Sequence, residues 1–194
     1  MSKLNEIKAS PKAGSENLTE EGQIIEYNLS DFWKWSVSDL LSNATRGRFA
    51  EFIVGTAVGL DPKNLRNEWD AFDLVTKSGI KIEVKSAAYI QSWAQKKYSN
   101  ITFSIKSAID LEVKGNTIPK RHADLYVFCH LKHKNQETID PLKMEQLDFY
   151  IVATSLLDKH HKGQKTISLT SLKKLTTTVK YGELKDAIKK NYHL

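Results

Sequence analysis

The stretch Trp69–Ser86, WDAFDLVTKSGIKIEVKS, carries two aspartates, a short polar turn, and then a glutamate and a lysine set between β-branched residues. Successive side chains of a strand point to opposite faces, so Ile80, Ile82 and Val84 share one side and Lys81, Glu83 and Lys85 the other. The intervening Lys77-Ser78-Gly79 suits a three-residue hairpin loop with Gly79 in the left-handed conformation, which pairs Thr76 with Ile80. In that register Phe72 lies opposite Val84, Leu74 opposite Ile82 and Asp73 opposite Glu83, so the apolar sides of both strands coincide. Cross-strand partners hold their Cβ atoms roughly 4.5–5.5 Å apart, which presses two carboxylates together with Lys85 two residues along the same face. A divalent cation with hard oxygen ligands, Mg2+ or Mn2+, relieves that repulsion. A two-residue turn at Ser78-Gly79 shifts the register by one, sets Asp73 against Val84 and brings Asp70 to the Glu83 face. Asp70 is therefore the reserve ligand. The competing reading is a surface hairpin whose charged face only meets water.

Upstream, NLSDFWKWSVSDLLSN from Asn28 spaces Phe32, Trp33, Val37, Leu40 and Leu41 as in a helix, with Ser30 or Asp31 as its N-cap. A second helix follows in ATRGRFAEFIVGTAVGL. It carries Glu51, sets Phe49, Phe52, Ile53, Thr56 and Ala57 along one stripe, and ends at Gly59. Downstream, ITFSIK, ADLYVFCHL and QLDFYIVAT read as strands. Short helices are expected near 155–160, near 171–175 and through YGELKDAIKKNY. Helices first, a strand cluster in the middle and short helices after it predict an α/β or α+β domain.

The set Asp73, nine residues, then Glu83-Val84-Lys85, with Glu51 on an upstream helix, resembles the PD-(D/E)XK nuclease superfamily, whose fold is restriction-endonuclease-like. The likeness covers roughly Asp31 to Leu131 and departs from the pattern at Phe72, where the family has a variable proline. SAAYIQSW, after the lysine, is also similar to a stretch of uncharacterised bacterial nuclease-like proteins. The resemblance implies an αβββαβ core with a central mixed sheet flanked by helices. It also implies Mg2+-dependent hydrolysis of phosphodiesters, with Mn2+ as a substitute. Asp73, Glu83, the Val84 carbonyl and Glu51 would hold the metal, and Lys85 would orient the attacking water or stabilise the charge on the phosphoryl oxygens.

Arg46 and Arg48 stand close enough to Glu51 to reach phosphates, Gln91 suits a supporting or DNA-contacting role, and Trp93, with Tyr89 and Tyr98, could stack on bases. Each also has a purely structural reading, as surface arginines, a surface amide and core aromatics. Other patterns carry less. The second Glu-x-Lys, Glu112-Val113-Lys114, has no aspartate on a preceding hairpin strand. Cys129–His133 has no second cysteine pair for zinc, and His160-His161 sits among lysines. No Walker loop, Gly-x-Gly-x-x-Gly run or Gly-x-Ser-x-Gly elbow occurs.

The 194 residues fit one domain. Residues 1–25 read as a flexible polar arm and 26–194 as a single nuclease-like domain, its catalytic core at about 31–133 and a basic part at 151–194. From Ile151 onward stand nine lysines and three acids, a local excess equal to the net charge of +6 of the whole chain. Such a positive end suits a polyanion. One cysteine, no apolar leader and no membrane-length apolar run point to a cytoplasmic home. The expected substrate is DNA, with RNA as the alternative. Cleavage of restriction, defence or repair type is the first reading, with a homodimer and a methyltransferase or helicase as candidate partners. A non-catalytic nuclease-fold DNA-binding subunit is the second, and a structural domain with a coincidental hairpin the third.

Overall fold

Seven consecutive buried residues, Leu125–Leu131, form the central strand of the structure, a computed structural model that describes residues 4–5, 7–61, 65, 71–109 and 118–192. A strand covered on both faces reads as a continuous apolar run, and LYVFCHL does so apart from His130. The elements in chain order are strands β1 (Asn17–Glu20) and β2 (Gln23–Asn28), helices α1 (Leu29–Val37) and α2 (Asn43–Val58), and strands β3 (Leu74–Val75), β4 (Lys81–Ala88), β5 (Thr102–Ser104), β6 (Leu125–Leu131) and β7 (Leu147–Ala153). Helix α3 (Thr154–His160), strand β8 (Thr166–Ser168), helix α4 (Leu169–Leu175) and helix α5 (Leu184–Tyr192) complete the chain.

The central sheet has the order β3-β4-β6-β7, antiparallel between β3 and β4, parallel between β4 and β6, and antiparallel between β6 and β7. It is the mixed sheet flanked by helices that the sequence predicts. Alternation along β4 and β6 separates two cores. Ile82, Val84, Leu125, Val127 and Cys129 pack with Ala50, Ile53 and Val54 of α2 and with Leu184 and Ile188 of α5. Tyr126, Phe128, Tyr150 and Val152 pack on the opposite face with Phe103 and Ile105, Leu157 of α3, Ile167 of β8 and Leu172 of α4. Burying one such aromatic or aliphatic side chain contributes about 1.5–3 kcal/mol, so the sheet is held from both sides.

Several expectations shift in detail. The α1 N-cap is Asn28 rather than Ser30 or Asp31: Asn28 Oδ1 accepts the Asp31 N–H and Asp31 Oδ2 accepts the Asn28 N–H, both at 3.1 Å, a reciprocal box. Helix α1 stops at Val37, before Leu40 and Leu41, because the chain turns at Asp39, whose Oδ1 accepts the Leu41 and Ser42 N–H groups. Along α2 the buried set is Arg46, Ala50, Ile53, Val54 and Gly55, while Phe52 lies exposed and stacks against Phe49. Gly59 ends α2 as expected, its N–H bonded to the Gly55 and Thr56 carbonyls. Overlapping the end of the segment read as a flexible arm, β1 and β2 form a hairpin over residues 17–28 turned by Glu21-Gly22, exposed on both faces. Strand β8, three residues long, had no sequence signal and pairs with β5 in a small separate sheet.

Candidate active site

The expected loop forms. Thr76 N–H donates to the Ile80 carbonyl and Gly79 N–H to the Thr76 carbonyl, each at 2.9 Å, and Gly79 has φ +86°. That positive φ is the conformation that glycine adopts without a Cβ penalty. The ladder then pairs Val75 with Lys81 and Leu74 with Ile82, the register read from the sequence.

β3 begins at Leu74, so Asp73 stands just before the first ladder pair. Its N–H donates to the Ile82 carbonyl at 3.0 Å, and its Oδ2 accepts the Val84 N–H at 2.7 Å. The N–H and C=O of one strand residue point to the same side, so the Val84 carbonyl faces the Asp73 edge as well. Lys85 Nζ pairs with Glu83 Oε1 and lies 3.9 Å from Asp73 Oδ2. One ammonium thus sits between two half-buried carboxylates. Burial holds the Glu83 carboxyl above the usual carboxylate range, and the charges of Asp73 and Glu51 add to this effect while Lys85 opposes it. Glu51 thereby shares the electrostatic environment of the hairpin acids.

No strand pairs with Glu83–Ala88 on the β3 side among the described residues. A cavity of about 520 Å³ lies over that open edge, lined by Glu51 and Arg46 of α2, by Val84–Ala88, and by Gln91 and Trp93. Along β4, Lys85 and Ala87 lie on one face and Val84, Ser86 and Ala88 on the other. A larger cavity, about 870 Å³, lies among Gln95–Tyr98 and Lys134–Glu137. It holds lysines and a tyrosine, whereas the smaller one is lined by Glu51 and by Lys85, which pairs with Glu83; Asp73 and Glu83 themselves line neither.

Arg46 is only 7% exposed. Its guanidinium donates to Ser86 Oγ at 3.2 Å, to the Leu41 carbonyl at 2.8 Å, to Gln91 Oε1 at 3.0 Å and to Asn43 Oδ1 at 2.5 Å. Gln91 in turn donates to the Ala88 carbonyl at 2.8 Å and to Ser99 Oγ at 3.2 Å. These two residues form the wall of the cavity. Arg48 is exposed on α2, and Trp93 is 52% exposed at the mouth. Tyr89 packs edge-on against Tyr98 and His130, with Lys134 Nζ 4.4 Å above its ring.

Asp70, the reserve ligand, and the second Glu-x-Lys lie outside the described residues. Among the described residues there is no group of three His, Cys, Asp or Glu side chains placed to hold a metal. The donor set at the hairpin still fits Mg2+, which keeps several waters and takes one or two carboxylates. Asp73, Glu83 and the Val84 carbonyl supply that oxygen set. Sequence reasoning missed Tyr126, the parallel partner of Glu83 on β6. Burial and then the Glu83 charge push its phenol pKa up, which keeps it neutral. Nothing in the sequence gives a parallel register, so no signal pointed to it.

No described helix is long and apolar enough to cross a membrane. The model of one protein family, Bacteriophage T4 endonuclease IV, matches residues 3–171, and the chain belongs to that family. No curated protein matches it.

Proposed function

We propose that this chain is a divalent-metal-dependent endonuclease of PD-(D/E)XK type that hydrolyses phosphodiester bonds of DNA in the cytoplasm, in a restriction, defence or repair role. Membership of an endonuclease family supports the nuclease part of this reading. The observation that carries the rest is the hairpin register, which gathers Asp73, Glu83 and Lys85 at the open edge of β4.

Asp73, Glu83 and the Val84 carbonyl would hold such an ion, with Glu51 as a further ligand. When bound, a divalent ion supplies Lewis-acid polarisation of the phosphate and a more acidic water. Lys85 lies where charge accumulates on the phosphoryl oxygens, and a donor fixed there stabilises that charge as it develops. The water oxygen forms the new P–O bond as one ester P–O bond breaks. The water proton passes to solvent and the departing oxygen takes up a proton. Arg46 and Gln91 act through position, holding Ser86 and the cavity wall, while Trp93 at the mouth offers a stacking face to a base.

Cleavage of supercoiled plasmid with Mg2+ or Mn2+ tests the reading. Glu83→Ala and Lys85→Ala are expected to lose nicking by ~100-fold or more at the same salt. Nicking that survives both substitutions would move the site elsewhere. A folded chain inert on plasmid, linear, single-stranded and branched DNA would favour the non-catalytic subunit.

A further inference from the structure

The N-terminal hairpin and α1 form a unit with a fixed internal geometry and no buried residue in any of its three elements. The Leu29 N–H donates to the Glu16 carbonyl at 2.9 Å and the Ser30 N–H to the Gly14 carbonyl at 2.8 Å. The Trp33 ring lies so close over Gly14 that a Cβ there would stand 2.7 Å from it. While Trp33 is used internally, Trp35 is 84% exposed, and the ring of the exposed Phe32 lies beside it, 6.3 Å between centroids. Contiguous exposed aromatics on a folded unit mark an interaction surface, and tryptophan is the side chain most enriched among the residues that dominate interfaces.

The charge of the unit selects its partner. Residues 14–39 carry six acids and one lysine, in a chain whose net charge is +6. That rim repels nucleic acid phosphates and anionic membranes alike. The chain also presents the complement. A mostly apolar groove of about 260 Å³ has Val58, Ile80 and Ile188 in its floor and Lys77, Lys185 and Lys189 at its rim.

The unit does not occupy this groove within its own chain: no residue of the unit lines it, and Trp35 stays 84% exposed. The groove lies at the C-terminal end of α2, whose 16 residues span about 24 Å. Trp35 is joined to the other end of α2 by the last residues of α1 and by residues 38–42. Residues 38–42 are folded into a turn, with Leu40 N–H bonded to the Ser38 carbonyl and Ser42 N–H to the Asp39 carbonyl.

We infer that the occupant of this groove is a second copy of the chain: the Trp35 face of α1 of one copy docks between α5 and the β3–β4 turn of the other, and reciprocal docking closes a two-fold dimer. The exchange is isologous, so it ends at two copies rather than growing a filament. It stands independently of the nuclease reading.

Light scattering of the full chain at micromolar to tens of micromolar concentration tests the arrangement. The expected mass is twice the 22.1 kDa of one chain. Trp35→Asp, and separately the double variant Lys185→Glu, Lys189→Glu, are each expected to weaken dimerisation at least 100-fold. All three side chains are exposed, so circular dichroism should show wild-type folding in each variant. A wild-type monomer throughout that range would overturn the proposal. So would a dimer that survives either substitution, because both halves of the contact are required.

Discussion

Asp73 accepts the backbone N–H of Val84 through Oδ2 at 2.7 Å, so the carboxylate that follows no ladder pair is fixed to the residue between Glu83 and Lys85. The acid pair is therefore joined through the backbone of β4, just ahead of the first β3 residue.

This bond separates two roles of Asp73. Asparagine keeps an acceptor for the Val84 N–H but not the charge, whereas alanine removes both. Both variants are expected to lose metal-dependent cleavage. Only Asp73→Ala should also lose stability, by about 1–3 kcal/mol for the unsatisfied donor. Urea midpoints measured beside plasmid nicking check the split, and equal destabilisation by both variants would refute it.

An ion bound at the hairpin would stabilise the folded chain by mass action, by about 2.7 kcal/mol at 100 times its Kd. For a chain of this size that corresponds to roughly 2–4 °C in Tm per kcal/mol. Millimolar Mg2+ is expected to raise Tm in wild type and in Lys85→Ala, and to leave Glu83→Ala unmoved. Thermal scans with and without chelator read this without reference to activity. An unmoved wild type would remove the metal from the site.

Arg46 is expected to matter through structure. Its loss leaves Gln91 Oε1 and the Leu41 carbonyl without their charged donor, and hydrogen bonds to charged groups contribute about 1.5–3 kcal/mol each. Arg46→Ala should lower the urea midpoint with little change in m-value. The corresponding change at exposed Arg48 should cost less than about 0.5 kcal/mol. Equal costs at both positions would mean that the buried network contributes nothing.

His130 gives the fold an acid sensitivity. It is 3% exposed, neither ring nitrogen has a hydrogen-bond partner among the described residues, and burial holds its pKa down to about 4. Below its ordinary value the unfolded chain takes up a proton that the folded chain refuses, so stability falls with pH between about 6.5 and about 4. A shift of this size corresponds to about 3 kcal/mol, and none of it is felt at neutral pH. His130→Phe should flatten the stability curve in that window, and denaturation at a series of pH values would reveal it. A variant with the same slope as wild type would assign the acid loss to other groups.

The hairpin, its register and the glycine that turns it were legible because alternation and loop length over-determine them locally. The Gly59 end of α2 was legible for the same reason. The α1 cap was missed although Asn28 and Asp31 stand in the spacing of a reciprocal box, since Ser30 and Asp31 offered competing caps. The buried stripe of α2 was misplaced towards Phe52 because hydrophobicity outranked Arg46, whose burial depends on acceptors at Ser86 and Gln91. Tyr126 and His130 depend on which strands neighbour β4 and β6, and long-range pairing leaves no periodic trace in the chain.

The two-residue length of β3 has a consequence for solubility. Strand edges with unpaired backbone groups template association with other chains, and proteins blunt them with charged side chains. Along the open edge of β4 that defence is supplied by Glu83 and Lys85. Replacing both by neutral residues would do more than silence the hairpin: it would leave the unpaired backbone edge of Glu83–Ala88 without its charged side chains, and such a chain is expected to aggregate faster than either single variant.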